Sequence, residues 1–341
     1  MKTGVLLINL GTPDSPTTKD VRIYLREFLS DPYVIDIHPL ARSLLLNLII
    51  LPTRPKKSAL AYQNIWTAQG SPLLINSEIL ASNAQQLLLD DYQVALGMRY
   101  GQPSIKQAIE QLKTCQRLII LPLFPQYSLA ATETALVRAQ TLAAETWSSE
   151  NIKIIKDFYR FPSFITAQAG LIYKYLGTRQ IEQIIFSYHG LPERQVKKIC
   201  RATHCNMSAA CPEISIDNQN CYRAQCFATS RALAEQLNLK RTQYITTFQS
   251  RLGRTPWIKP YTDRALEKLA KQGVKNIAIA CPSFVVDCLE TLEEIGIRAR
   301  EQWHELGGEN LYLIPCLNTN AVWLVDLLKK SLNDSEGSKT Q

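Results

Sequence analysis

The chain has 341 residues, 46% of them hydrophobic, and a formal net charge of +8. The length predicts about two domains, and the apolar share excludes a disordered chain. No apolar run approaches the ~20 residues of a spanning helix, and the opening MKTGVLLINLGTP reads as a first strand rather than a signal peptide, so a cytoplasmic location is expected.

Strand-like apolar runs fall at 4–9, 93–98, 117–123, 152–156, 183–188, 244–248, 276–281 and 311–315. Helical patterns fill most of the gaps, as in PSIKQAIEQL (103–112) and DRALEKLAKQ (263–272). This alternation predicts an α/β fold with parallel sheets and helices on both faces. Between the first two strands, HPLARSLLLNLIILPTRPKK (38–57) carries leucines and isoleucines beside Arg42, Arg54, Lys56 and Lys57. Such a segment suits either contact with an anionic membrane surface or packing on its own domain.

The order of segments repeats. GVLLINLGTP (4–13) matches QIIFSYHGLP (183–192), and VALGMRYGQPSIKQAIEQL (94–112) matches TTFQSRLGRTPWIKPYTDRALEKL (246–269). RLIILPLFPQYS (117–128) matches NIAIACPSFVVD (276–287). Two doubly wound halves facing across a cleft are expected, at 1–160 and 161–330, with a disordered polar tail at 331–341. No Gly-x-Gly-x-x-Gly follows any strand, which counts against a dinucleotide site.

The second half carries the chemistry. His189 ends one apolar run, and Asp287, Glu290 and Glu294 follow another. Ligands in open α/β sheets bind outside the carboxyl ends of strands, so a base and acids at two such ends suggest proton transfer or metal handling. The acids are spaced i, i+3, i+7, which makes one stripe on an α-helix. Acids at a helix start also occur simply as dipole stabilisers. Trp257 could stack on a flat ligand, and Arg99 could pair with a ligand carboxylate; the alternatives are a core tryptophan and a solvated arginine.

Of nine cysteines, Cys115, Cys281, Cys288 and Cys316 are scattered, while five lie within residues 200–226. The scattered ones read as core residues. In a cytoplasmic chain the clustered ones read as metal ligands rather than disulfides. Cys200, Cys205, Cys211 and Cys221, with Cys226 spare and His204 as an alternative ligand, would suit zinc or iron–sulfur.

The segments LLINLGTPDSP, YLREFLSDPYVI, YQNIWTAQGSPL, GMRYGQPSI, LPLFPQYS, SYHGLP, TFQSRLGRTPWIKPYTD and CPSFVVDCLETLEEI closely resemble ferrochelatase. That family inserts ferrous iron into a porphyrin to make haem. The likeness covers roughly residues 3–325. It implies two Rossmann-like, chelatase-like halves around a porphyrin, with protoporphyrin IX and ferrous iron as substrates. It also implies His189 as the active-site histidine, Glu290 as its carboxylate partner, and Asp287 and Glu294 in an acidic row. Whether His189 accepts pyrrole protons or is the first iron ligand stays open.

By the same resemblance Leu10, Arg99, Tyr100, Tyr127, Ser128, Trp257 and Phe284 line the porphyrin pocket. Segment 38–57 matches a lip beside the pocket, which favours peripheral contact with the inner membrane face. Cys288 stands where some relatives carry histidine, which puts metal delivery by that position in doubt. Residues 200–221 look like an insertion, and some family members hold a 2Fe-2S cluster through cysteines. Cys200, Cys205, Cys211 and Cys221 are the ligands expected here. A chelatase for another tetrapyrrole and a non-catalytic porphyrin carrier are the rivals. A nucleic-acid partner is not expected, because basic and aromatic residues do not interleave. Monomer and homodimer remain equal choices.

Overall fold

The computed structural model describes residues 2–200, 205, 207, 210–253 and 255–337. His204 lies outside them. All eight expected strands are present: β1 (Thr3–Gly11), β2 (Tyr92–Tyr100), β3 (Arg117–Pro122), β4 (Ile152–Ile154), β5 (Gln183–His189), β6 (Tyr244–Gln249), β7 (Asn276–Ala280) and β8 (Asn310–Leu313). They form two parallel four-stranded sheets, ordered β2-β1-β3-β4 and β6-β5-β7-β8. β1 and β5 are central and buried almost throughout, as expected of strands covered on both faces.

The helices follow their patterns. PSIKQAIEQL forms helix Ile105–Leu112, which opens on a capping box between Ser104 and Gln107 and buries Ile105, Ala108, Ile109 and Leu112. That i, i+3, i+4, i+7 set is a core-facing stripe. DRALEKLAKQ lies in helix Thr262–Lys271, which buries Leu266 and Leu269 beneath the second sheet.

The chain divides into two compact units. One holds the residues up to Phe124, Leu129–Asp157 and the chain from Asn318; the other holds Pro125–Ser128 and Phe158–Leu317. The last helix, Val322–Gly337, therefore lies with the first unit, whereas the sequence reading placed it with the second. Asn83 Nδ2 donates to the Thr319 carbonyl at 2.8 Å just before it. The tail expected to be disordered from 331 is helical as far as Gly337; residues 338–341 lie outside the described set.

The repeat extends to single bonds. Met98 N donates to the Pro103 carbonyl at 2.6 Å, and Phe248 N to the Pro260 carbonyl at 2.8 Å. Gly11 has φ +114°, and a Cβ there would lie 1.8 Å from the Tyr100 carbonyl oxygen. At Gly190 a Cβ would meet the Gln249 carbonyl oxygen at 2.6 Å. Both turns need glycine because neighbouring strand ends approach closely. In this correspondence Leu10 takes the place of His189. Each third strand is followed by a π-helix, Leu129–Glu133 in the first repeat and Glu290–Ala299 in the second. π-Helices are rare and frequently mark functional sites.

Candidate active site

In the second sheet the strand order reverses between β5 and β7. Ligands bind outside the carboxyl ends of strands at such a switch point. His189 is the last residue of β5, and the loop from Cys281 leaves the end of β7.

The backbone at His189 is fixed from three sides. Its N–H donates to Ser283 Oγ at 3.1 Å, its carbonyl accepts from the Tyr222 hydroxyl at 2.8 Å, and Gly190 N donates to the Gln249 carbonyl at 2.8 Å. The half-buried ring lies between aromatics, its centroid 6.4 Å from those of Trp257 and Phe284. Nδ1 is 2.6 Å from the Gly190 carbonyl oxygen. A carbonyl only accepts, so Nδ1 carries the proton and Nε2 is the basic nitrogen.

The carboxylates differ from the expected stripe. Asp287 and Cys288 precede the helix, and Glu290 opens a π-helix rather than an α-helix. Its i→i+5 bonding widens each turn, which brings residues four apart nearly into line. Glu290 and Glu294 are such a pair. Asp287 is buried at 5% exposure, accepting from Thr291 Oγ1 at 2.8 Å and from Cys316 N at 3.3 Å. Glu294 accepts from Ser250 N at 2.8 Å and Ser250 Oγ at 2.5 Å. Arg298 Nε donates to both Glu293 carboxylate oxygens, at 2.9 and 3.0 Å.

Cys288 is buried beside Glu290. Burial, with the Glu290 charge adding to it, pushes its thiol well above its ordinary range.

Two residues missed from sequence join these parts. Gln249 Nε2 donates to the Glu290 carbonyl at 2.7 Å, and its own carbonyl receives the Gly190 N–H. Ser250 is held at φ +66°, a left-handed conformation unusual for serine, and both its donors bind Glu294. Both residues lie in the TFQSRLG run, but their partners are more than forty residues away, with no local signal.

The other expected pocket residues are distributed. Tyr127 N donates to Gln225 Oε1 at 2.6 Å, and Gln126 Nε2 donates to the Pro282 carbonyl at 3.3 Å. The stretch carrying Tyr127 and Ser128 therefore lies beside the Ser283–Phe284 loop. Leu10 is half-buried at the end of β1. Arg99, expected to meet a ligand carboxylate, is ion-paired within its own unit. Its Nη2 lies 2.5 Å from Asp31, and its Nε donates to Thr134 Oγ1 at 2.8 Å. Tyr100 is buried and donates to the same Asp31 at 2.9 Å. Burial and the Asp31 charge raise the phenol far above its usual range, so Tyr100 supports the strand end rather than offering an ionisable surface.

Cys205 and Cys221 each lie within electrostatic reach of Cys200 and Cys211. Burial raises the Cys205 and Cys211 thiols and pushes Cys221 up to about 12. Among the described residues, no three His, Cys, Asp or Glu side chains are set as a metal cage. The four sulfurs are neighbours without a cage geometry. Cys115, Cys281, Cys288 and Cys316 are buried, as expected of core thiols.

In segment 38–57, helix Pro39–Leu44 and π-helix Leu45–Ile50 bury Leu46 but leave Leu40, Leu44, Leu48 and Ile49 between 60% and 71% exposed. Arg42 bonds to the carbonyls of Ile35 and Ile37 at 3.3 and 3.4 Å. Among the described residues no helix is long and apolar enough to cross a membrane.

A ferrochelatase family model matches residues 2–334. A ferrochelatase of Legionella pneumophila is 52% identical over 324 residues, covering 95% of this chain and 97% of the relative. One of Coxiella burnetii is 53% identical over 339 residues, covering 97% and 94%. Among solved structures, SirB from Bacillus subtilis with Fe3+ superposes with a TM-score of 0.55 at 11% identity, covering 99% of this chain and 98% of its own. The sirohydrochlorin chelatase SirB in complex with cobalt gives 0.52. These two likenesses show the α/β chelatase-like fold, and the matches along nearly the whole sequence show that the chain belongs to the ferrochelatase family.

Proposed function

We propose that His189, Glu290, Asp287 and Glu294 exchange two pyrrole protons for one ferrous ion in this ferrochelatase. The reaction is insertion of ferrous iron into protoporphyrin IX to form protohaem, the last step of haem synthesis. The observation that supports the residue reading is the Nδ1 contact with the Gly190 carbonyl, which leaves Nε2 as the nitrogen able to accept a proton. Imidazole changes protonation within the physiological range, which suits repeated uptake and release.

Glu290, whose backbone carbonyl accepts from Gln249, would guide iron or receive the protons, and Glu294 with Ser250 would pass them on. Asp287, buried beneath Thr291, suits a fixed charge in that relay better than an open iron ligand. Trp257 and Phe284 flank the histidine and would grip the ring, so that remote binding energy helps bend it. Tyr127 and Ser128 would contribute further wall. Single-turnover insertion in weak buffer with a pH-sensitive dye should release two protons per haem formed. Haem formation without stoichiometric release would refute proton–metal exchange.

Cys200, Cys205, Cys211 and Cys221 would hold a 2Fe-2S cluster. Neighbouring thiols are the donor set such clusters take, and the N–H···S bond from Arg223 to Cys211 is the kind of support their sulfurs receive. Protein purified without oxygen should contain iron and absorb in the visible region; lacking both would rule the cluster out.

The exposed leucines of 38–50 fit a lip resting on an anionic membrane surface, near poorly soluble substrate and product, in a cytoplasmic enzyme. Replacing Leu44 and Leu48 together by Asp should weaken binding to anionic vesicles about 100-fold, at ~1.5 kcal/mol or more per leucine. Unchanged co-sedimentation would refute the lip.

A further inference from the structure

Three consecutive residues at the start of helix Tyr222–Gln236 reach three parts of the second unit. Cys221 belongs to the thiol group. The Tyr222 hydroxyl holds the His189 carbonyl. Arg223, only 1% exposed, reaches in two directions at once.

On one side its Nη1 donates to Cys211 Sγ at 2.9 Å and its Nη2 to the Met207 carbonyl at 3.2 Å. On the other, Nε and Nη2 donate to the Lys259 carbonyl at 3.2 and 3.0 Å. The guanidinium lies over Phe227 at 4.8 Å and 6.0 Å from Phe248, the residue before Gln249. Lys259 is two residues past Trp257. Local bonds hold the rest of that loop, from Trp257 Nε1 to the Leu252 carbonyl and from Ile258 N to the Leu191 carbonyl.

A guanidinium is planar, and its donors leave in fixed directions. Burying it is costly unless those donors are satisfied. A shift of Cys211 or Met207 must therefore tilt the fork or break a bond, and either moves the Lys259 carbonyl. We propose that Arg223 is a positioning residue that couples the cysteine segment to Trp257, so that the state of Cys211 sets porphyrin affinity. This rests on the reading of Trp257 as porphyrin wall. A sulfur carrying a metal group would be sensed through the same N–H···S bond.

The test is a double-mutant cycle on the full-length protein, read as protoporphyrin affinity without iron by fluorescence anisotropy. Cys211→Ala is expected to weaken binding about fivefold in the wild-type background and not at all in Arg223→Met. Porphyrin KM should rise while kcat holds. Equal losses in both backgrounds, or none in either, would overturn the coupling. If Arg223→Met fails to fold, Arg223→Lys carries the same cycle, because lysine keeps the charge but not the fork. Trp257→Ala reads the underlying assignment separately. Unchanged affinity in that variant removes the porphyrin wall and this proposal together, whereas weakened affinity with an additive cycle removes the coupling alone.

Discussion

Replacing His189 by Ala is expected to abolish iron insertion while leaving porphyrin binding largely intact. The ring supplies the basic Nε2, and a positioned general base contributes about 100- to 10,000-fold. The same loss follows if Nε2 is instead the first iron ligand. The strand end should survive the change, because backbone bonds to Ser283, Tyr222 and Gln249 hold it rather than the imidazole. Anaerobic kcat with a separate binding titration checks this; turnover retained in His189→Ala would refute both roles for the histidine.

Replacing Glu290 by Gln should lower kcat about 100-fold or more, with little change in porphyrin affinity. The exchange is nearly isosteric, and the Gln249 bond goes to the Glu290 carbonyl and is untouched. On the proposed reading, what is lost is the charge that would attract iron and take protons. Glu294→Gln should cost less, roughly tenfold, because Ser250 already binds both carboxylate oxygens. A Glu290→Gln enzyme as fast as wild type would leave the relay without its first member.

The strands were legible because burial on both faces writes continuous apolar runs, as in GVLLIN and IIFSY. His189 was legible as the histidine at that run's carboxyl end, directly before the Gly190-Leu191-Pro192 turn. The positions of Asp287, Glu290 and Glu294 were legible along the chain, but their local backbone was not. Periodicity of 3.6 was assumed, and neither a loop placing Asp287 before the helix nor a π-helix leaves a mark on that period.

The Arg99–Asp31 pair was out of reach because Asp31 is 68 residues earlier in the chain. Gln249 and Ser250 were overlooked because polar residues at a strand end are unremarkable until their long-range partners are known. The lip's exposure was equally out of reach: HPLARSLLLNLII gives its apolar residues but not which of them, Leu46 alone in the π-helix, turns inward.

The most direct test of the account is anaerobic insertion of ferrous iron by the purified protein, with protoporphyrin and coproporphyrin run in parallel. The account predicts turnover of protoporphyrin. Turnover of coproporphyrin alone would contradict the substrate assignment, and binding of both rings without turnover would make the protein a carrier rather than an enzyme.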